Sequence, residues 1–182
     1  MQRKILIIGC SGAGKAALAM ELGSILGIAV HHLDSYFWKE GWKPTEREEW
    51  LSRVKLILEE EAWIVDGNYY STLELRLKEC CTVIFLDFPS LICLYGLISR
   101  RIKFHRRNRP DMAEGCPERL DWKFIKWTAR YRRRNAPKIR AALQAHKEKE
   151  IVILKSRKET RQFLKELRIS RGSRNETGNN SA

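Results

Sequence analysis

An α/β fold with a parallel sheet covered by helices on both faces is predicted by three features of the sequence. Short, continuously apolar runs recur along the chain, most clearly at residues 5–8, 63–65, 83–86 and 151–154, as expected for strands buried on both faces. Amphipathic stretches of helical period separate them. A glycine-rich turn follows the first run and opens the first of these stretches. Alternation of this kind forces crossover connections and hence a parallel sheet.

The first strand is read over residues 4–8. The helix after the glycine turn carries Leu18, Leu22, Ile25 and Leu26 on one face and stops at Gly27. A second strand spans 28–33 and ends at Asp34. Pro44-Thr45-Glu46-Arg47-Glu48 opens the next helix, with Thr45 and Glu48 as a capping box and Trp50, Leu51, Val54, Ile57 and Leu58 as its apolar face. A third strand over 63–65 runs into Asp66-Gly67, and a fourth over 82–86 into Asp87-Phe88-Pro89. The spacing over 90–103 predicts a helix. Residues 106–118 are polar, punctuated by Pro110, Gly115 and Pro117, and read as a mobile loop suited to a lid. Leu120, Phe124, Trp127 and Tyr131 mark another helix, and Asn135-Ala136-Pro137 caps the next. After the fifth strand at 151–154, Ser156 and Glu159 form a second capping box before Phe163, Leu164 and Leu167. The organisation is therefore one domain over 1–168 with a lid at about 104–119, and a disordered tail over 169–182, which lacks periodicity.

The glycine turn reads Gly9-Cys10-Ser11-Gly12-Ala13-Gly14-Lys15-Ala16, which departs from the phosphate-binding loop G-x-x-x-x-G-K-[ST] only at its last position. Its glycines let backbone N–H groups turn inward around a polyphosphate, the following helix adds its positive end, and Lys15 reaches the outer phosphates. Gly9, Ser11, Gly12, Ala13, Gly14, Lys15, Ala16 and Ala17 are the expected nucleotide-binding residues, and ATP with Mg²⁺ the expected cofactors. Neither Ala16 nor Ala17 carries the hydroxyl that normally ligates Mg²⁺, so phosphate binding survives while metal positioning is weakened.

At 182 residues the chain is sized for one full domain. Its five cysteines show no C-x-x-C spacing, which argues against a disulfide framework or a zinc knuckle and for a reduced, cytoplasmic protein. No segment is long and apolar enough for a signal peptide or a membrane span. The net charge of +13 is concentrated between Arg100 and Arg140, where fifteen Lys and Arg face four acidic residues. Such a stretch calls for a polyanionic partner, with nucleotide phosphates, nucleic acid and an acidic membrane surface all suitable. His31 and His32 are adjacent on a strand, point to opposite faces and cannot share a metal ion.

Several of these motifs together resemble the bacterial DNA topology modulation proteins. The resemblance rests on the phosphate loop, His32-Leu33-Asp34 with Phe37-Trp38 and Gly41-Trp42, Trp63 through Tyr69, Phe85-Leu86-Asp87-Phe88-Pro89, Arg109-Pro110-Asp111-Met112, Gly115-Cys116-Pro117-Glu118 and Leu154 through Lys158, over about residues 3–167. That family is adenylate-kinase-like. The resemblance implies a P-loop NTPase with a five-stranded sheet in the order 2-3-1-4-5 and an arginine-bearing lid. It also implies a serine where this chain has Ala16.

Asp34-Ser35-Tyr36-Phe37 is similar to a stretch of nucleoside kinases whose aspartate holds and deprotonates an acceptor hydroxyl, so Asp34 is the candidate base, against a plain turn cap at a strand end. Asp66 resembles the strand-end aspartate of adenylate kinases that orders Mg²⁺-bound water. Arg101, Arg109 and Arg134 are the candidates to neutralise a transferring phosphoryl group. Trp38 and Trp42, close to Asp34, are suited to stack on a ring or to fill the core. The leading expectation is a small-molecule kinase taking a nucleotide triphosphate and an acceptor such as a nucleoside or nucleotide, with catalytic residues Lys15, Asp34, Arg101, Arg109 and Arg134. The alternatives are a nucleotide-dependent nucleic-acid-binding regulator and a degenerate kinase homologue. Oligomeric state is not legible in the sequence.

Overall fold

The computed structural model of the chain describes residues 3–105, 107, 109–119 and 121–178. Leu120, Arg106, Asn108 and residues 179–182, which figure in the helix, lid and tail expectations, lie outside the described residues.

In chain order the elements are β1 (Lys4–Gly9), α1 (Lys15–Leu26), β2 (Val30–His32), α2 (Leu33–Phe37), a small hairpin of β3 (Trp38–Lys39) and β4 (Lys43–Pro44), α3 (Arg47–Glu59), β5 (Trp63–Asp66), α4 (Leu73–Glu79), β6 (Thr82–Leu86), α5 (Ser90–Lys103), α6 (Trp122–Arg134), α7 (Ala136–Ala145), β7 (Glu150–Leu154) and α8 (Arg157–Gly178). The main sheet is parallel, in the order β2-β5-β1-β6-β7. Numbering only its five strands, this is 2-3-1-4-5. β1 is central, and Ile5, Leu6, Ile7 and Ile8 are buried on both faces, each contributing roughly 1.5–3 kcal/mol of hydrophobic stabilisation. The register sets Ile7 beside Asp66, Asp66 beside His32 and Gly9 beside Leu86. The phosphate loop, Asp66 and the start of α2 therefore leave the sheet at the same carboxyl edge, where ligands bind in open α/β folds.

Four local expectations are corrected. The second strand is only three residues long, and Asp34 lies in the first turn of α2 rather than at a strand end. Thr45 and Glu48 form no capping box. Glu46 is the cap residue of α3, and the Thr45 hydroxyl instead donates to the Tyr36 carbonyl at 3.1 Å, tying α3 to α2. The polar segment after α5 packs inward, with Arg109, Met112, Cys116 and Glu118 buried. Beyond Arg168 the chain stays helical to Gly178. Arg168 holds Glu21 at 3.0 Å and Arg171 donates to the Ile25 carbonyl, so contacts with α1 replace the missing apolar periodicity. The Ser156–Glu159 box forms as expected, with the Glu159 N–H donating to Ser156 Oγ at 3.2 Å and the Lys155 N–H donating to Glu159 at 2.8 Å. Among the described residues no helix is long and apolar enough to cross a membrane.

Candidate active site

The loop between β1 and α1 is shaped by contacts that leave no room for side chains. Gly12 has a φ of +79°, and a Cβ on it would fall 2.1 Å from the Cys93 carbonyl oxygen of α5. Across the contact, a Cβ on Gly96 would fall 2.1 Å from the Gly12 carbonyl oxygen. Loop and helix thus touch backbone to backbone. Gly14, at φ +95°, is the cap residue of α1 and offers no side-chain acceptor to the first N–H groups of the helix. Those groups and the helix dipole are left for an anion. Lys15 curls back so that Nζ donates to the Cys10 carbonyl at 3.2 Å. The hydrogen bond with Cys93, together with burial, pushes the Cys10 thiol up, making it a neutral part of the loop rather than a nucleophile.

The loop after β5 clamps this turn. Asn68 makes a paired bond with Gly9, accepting from its N–H at 3.0 Å and donating to its carbonyl at 2.7 Å. The same loop is braced from below by Arg76, which is fully buried and donates to the carbonyls of Gly67 at 2.8 Å, Tyr69 at 2.7 Å and Thr72 at 3.3 Å. Burial lowers the Arg76 guanidinium to about 10, so it remains a cation.

Next to Asn68, the Tyr69 hydroxyl donates to Asp34 Oδ1 at 2.6 Å. Burial first, and then the Asp34 charge and this bond, push the Tyr69 hydroxyl up, so it stays a neutral donor. Asp34 keeps its side chain 45% exposed, with Oδ2 3.9 Å from Arg109. Two residues earlier, His32 Nδ1 lies 2.9 Å from Asp66 Oδ2. Burial alone would lower His32, but the hydrogen bond and charge of Asp66, with Asp111 and Asp34, raise it. His31 faces the other way, toward Tyr36 at 3.0 Å and Glu60 at 3.1 Å.

From the opposite side comes the segment after α5. Arg109 is 5% exposed, 3.3 Å from Asp111 and 2.9 Å from Glu118, the last pair lying side by side without hydrogen-bond alignment. Arg100 also reaches Glu118 at 3.1 Å and extends to Ser11 Oγ at 3.5 Å, joining this segment to the phosphate loop. Trp42, at a φ of +64° unusual for a bulky residue, stands edge-on to Trp38, donates to the Pro117 carbonyl at 3.3 Å and lies under Arg119.

These groups enclose one cavity of about 990 Å³. Its walls include Ser11, Gly12, Gly14, Lys15, Ala16 and Ala17 from the loop, Asp34 and Asp66 from the sheet edge, Trp38, Trp42 and Tyr69, and Arg100, Arg109 and Arg157. Gly9 and Ala13 lie in the same turn, Ala13 with its N–H on the Cys10 carbonyl at 3.2 Å. The structure does not bring Arg101 or Arg134 to the cavity. Arg101 donates to the Glu118 carbonyl at 2.8 Å, and Arg134 lines a separate shallow recess on α6 with Lys126 and Arg130. The neighbouring Arg100 takes the inward direction expected of Arg101. Tyr69, Asn68, Arg76 and Glu118 were not singled out by the sequence reading. Asn68, Tyr69 and Glu118 stood in motifs that carry the resemblance, without an assigned role, and Arg76 carried no signal.

The donor set fits a nucleotide with magnesium in an uneven way. The loop, the bare helix terminus and Lys15 suit a polyphosphate. Asp66 pairs with Ile7 two residues before the loop and lines the cavity, and among the described residues no cluster of three His, Cys, Asp or Glu forms a protein-only metal site. Magnesium, which keeps several waters and takes phosphate oxygens, needs no such cluster.

Comparison with solved structures gives the same architecture. A shikimate kinase from Acinetobacter baumannii in complex with shikimate matches with a TM-score of 0.55 at 15% identity, covering 92% of this chain and 91% of that one. The fold is that of the shikimate kinases. A second, from Bacteroides thetaiotaomicron, matches with a TM-score of 0.50 at 17% identity over 90% of this chain and 94% of that one. An uncharacterized protein, YqaC, of Bacillus subtilis strain 168 is 28% identical over 135 residues, 72% of this chain and 74% of its own. No family model matches the chain, and the likeness to the topology modulation proteins stays a reading of its motifs.

Proposed function

We propose that this chain is a phosphotransferase that moves the γ-phosphate of ATP to a hydroxyl of a small molecule, such as a nucleoside. The observation that carries this reading is a single cavity lined at once by the phosphate loop with Lys15 and by a half-exposed Asp34. The shared fold with enzymes that phosphorylate a small molecule supports it.

When bound, ATP with Mg²⁺ supplies an electrophilic γ-phosphorus. Lys15 and the N–H groups opening α1 hold its phosphates, and Asp66 is the residue to orient water around the metal. Asp34, fixed by Tyr69, takes the proton of the acceptor hydroxyl as its oxygen attacks, a contribution of roughly 10²–10⁴ in rate for a general base. Arg100 and Arg109 neutralise charge on the equatorial oxygens from the cavity wall, where the inward-packed segment that carries Arg109 and Glu118 helps exclude water. Trp38 and Trp42 stack on the acceptor. Ala16 offers no hydroxyl to a bound Mg²⁺, which would weaken catalysis without removing it.

The test is ATP binding with and without Mg²⁺, followed by ADP release against nucleosides and nucleoside monophosphates. One acceptor should stimulate turnover, Ala16→Ser should raise it, and Lys15→Ala should abolish it. Turnover equal in Lys15→Ala and the parent would overturn the reading.

A further inference from the structure

Helix α5 is apolar on two opposite sides. Cys93 and Leu97 are buried against the core, whereas Leu91, Tyr95, Ile98 and Ile102 are 79%, 64%, 52% and 73% exposed. Their spacing of four, three and four residues sets them on one stripe, the spacing of a helix–helix seam. Together they leave on the order of 500 Å² of side chain in water, at the upper end of the apolar patches that monomers tolerate.

We propose that a second copy of this chain docks on this stripe, α5 against α5, antiparallel about a twofold axis passing between Gly96 and Leu97. The stripe is its own complement under that rotation. Leu91 and Ile102 lie equally far from the midpoint, as do Tyr95 and Ile98, so Leu91 meets the partner's Ile102 and Tyr95 the partner's Ile98. This is the isologous pairing that a two-fold interface requires. Charge selects the same orientation. All the basic residues of α5, Arg100, Arg101 and Lys103, sit in its last turn, and none is in its first. Antiparallel helices set these cations beside the uncharged start of the partner helix, whereas parallel helices would align them against each other. Two copies of the stripe bury on the order of 1,000 Å², the lower bound for a specific interface.

The interface is coupled to the cavity. α5 also holds Gly96 against Gly12 and directs Arg100 toward Ser11, while Arg157 of the cavity wall lies over the Tyr95 ring at 5.6 Å. The proposal stands on the stripe alone and does not depend on the phosphotransfer reading.

The test is the mass of the full chain by light scattering at about 50 μM, well above a micromolar dissociation constant. Twice the chain mass is expected. Leu91→Glu, Ile102→Lys and Ile98→Glu should each run at the single-chain mass, through a loss of affinity of about a thousandfold or more, each change entering twice across the axis, and should keep a cooperative melting transition by circular dichroism because the positions are exposed. Leu91→Glu combined with Ile102→Lys should restore the dimer, since antiparallel pairing joins the two new charges across the axis. Single-chain mass for the parent, persistence of a dimer in Ile98→Glu, or no rescue by the double variant would overturn the proposal. A parent of single-chain mass that co-sediments with anionic phospholipid vesicles would overturn it in favour of a lipid surface.

Discussion

Gly96 lies in mid-helix, where glycine costs roughly 1 kcal/mol relative to alanine, yet its Cα rests on the Gly12 carbonyl with no room for a methyl group. Gly96→Ala should therefore lower stability by about 1–3 kcal/mol, the usual cost of overpacking, and weaken ATP binding several-fold by pushing the phosphate loop off α5. Thermal melting and nucleotide titration together check it. An exposed helical glycine would respond the opposite way and gain stability. The Gly9–Ala17 loop, Asp34 and Asp66 were legible in the sequence because each sits at a fixed offset from an apolar run. The arginines were less legible. Arg100 and Arg101 are chemically identical neighbours, and which of them turns inward depends on where Glu118 comes to rest.

At the level of elements, the loop after β5 ties the phosphate loop to Asp34 through Asn68 and Tyr69, and Arg76 holds it. Replacing Arg76 by Met leaves three carbonyls, two of them buried, short of a donor. The expected loss is about 3 kcal/mol, read as a lower midpoint in urea with an unchanged slope. The pattern of strands and helices does not reveal this brace, since a lysine or arginine in a short helix ordinarily reads as solvated surface. The cap of α8 responds to pH. The Lys155 N–H, and then the Ser156 hydroxyl, hold Glu159 below its usual carboxylate range. A carboxylate lowered in the fold stabilises fully above its ordinary pKa, and that contribution fades as pH falls through the lowered value. The melting temperatures of the parent and Glu159→Gln should therefore differ at pH 7 and converge in acid. A constant gap would show that the carboxylate charge has no part in the cap. The second strand and α2 divide differently from the sequence reading because the run through residues 28–33 satisfies strand and buried-helix patterns alike.

For the whole molecule, the common edge of phosphate loop and carboxylates follows from the alternation of apolar runs with helices, because parallel strands joined by crossovers all end on one side, whereas the sheet order was implied only by the resemblance of the motifs. What that alternation cannot convey is closure. The polar segment after α5 reads as loop by composition, yet its Arg109 and Glu118 are buried together with Asp34 close by, and that contact walls one side of a chamber that stays open to solvent elsewhere. The account's central claim is that this chamber joins a bound nucleotide to an acceptor hydroxyl at Asp34. The most direct measurement follows label from γ-phosphate-labelled ATP onto a panel of hydroxyl compounds, using the parent and Asp34→Asn. The account predicts transfer by the parent and a loss of about 10²-fold or more in Asp34→Asn with ATP affinity unchanged. Transfer at the same rate in Asp34→Asn, or label passing only to water in the parent, would contradict it.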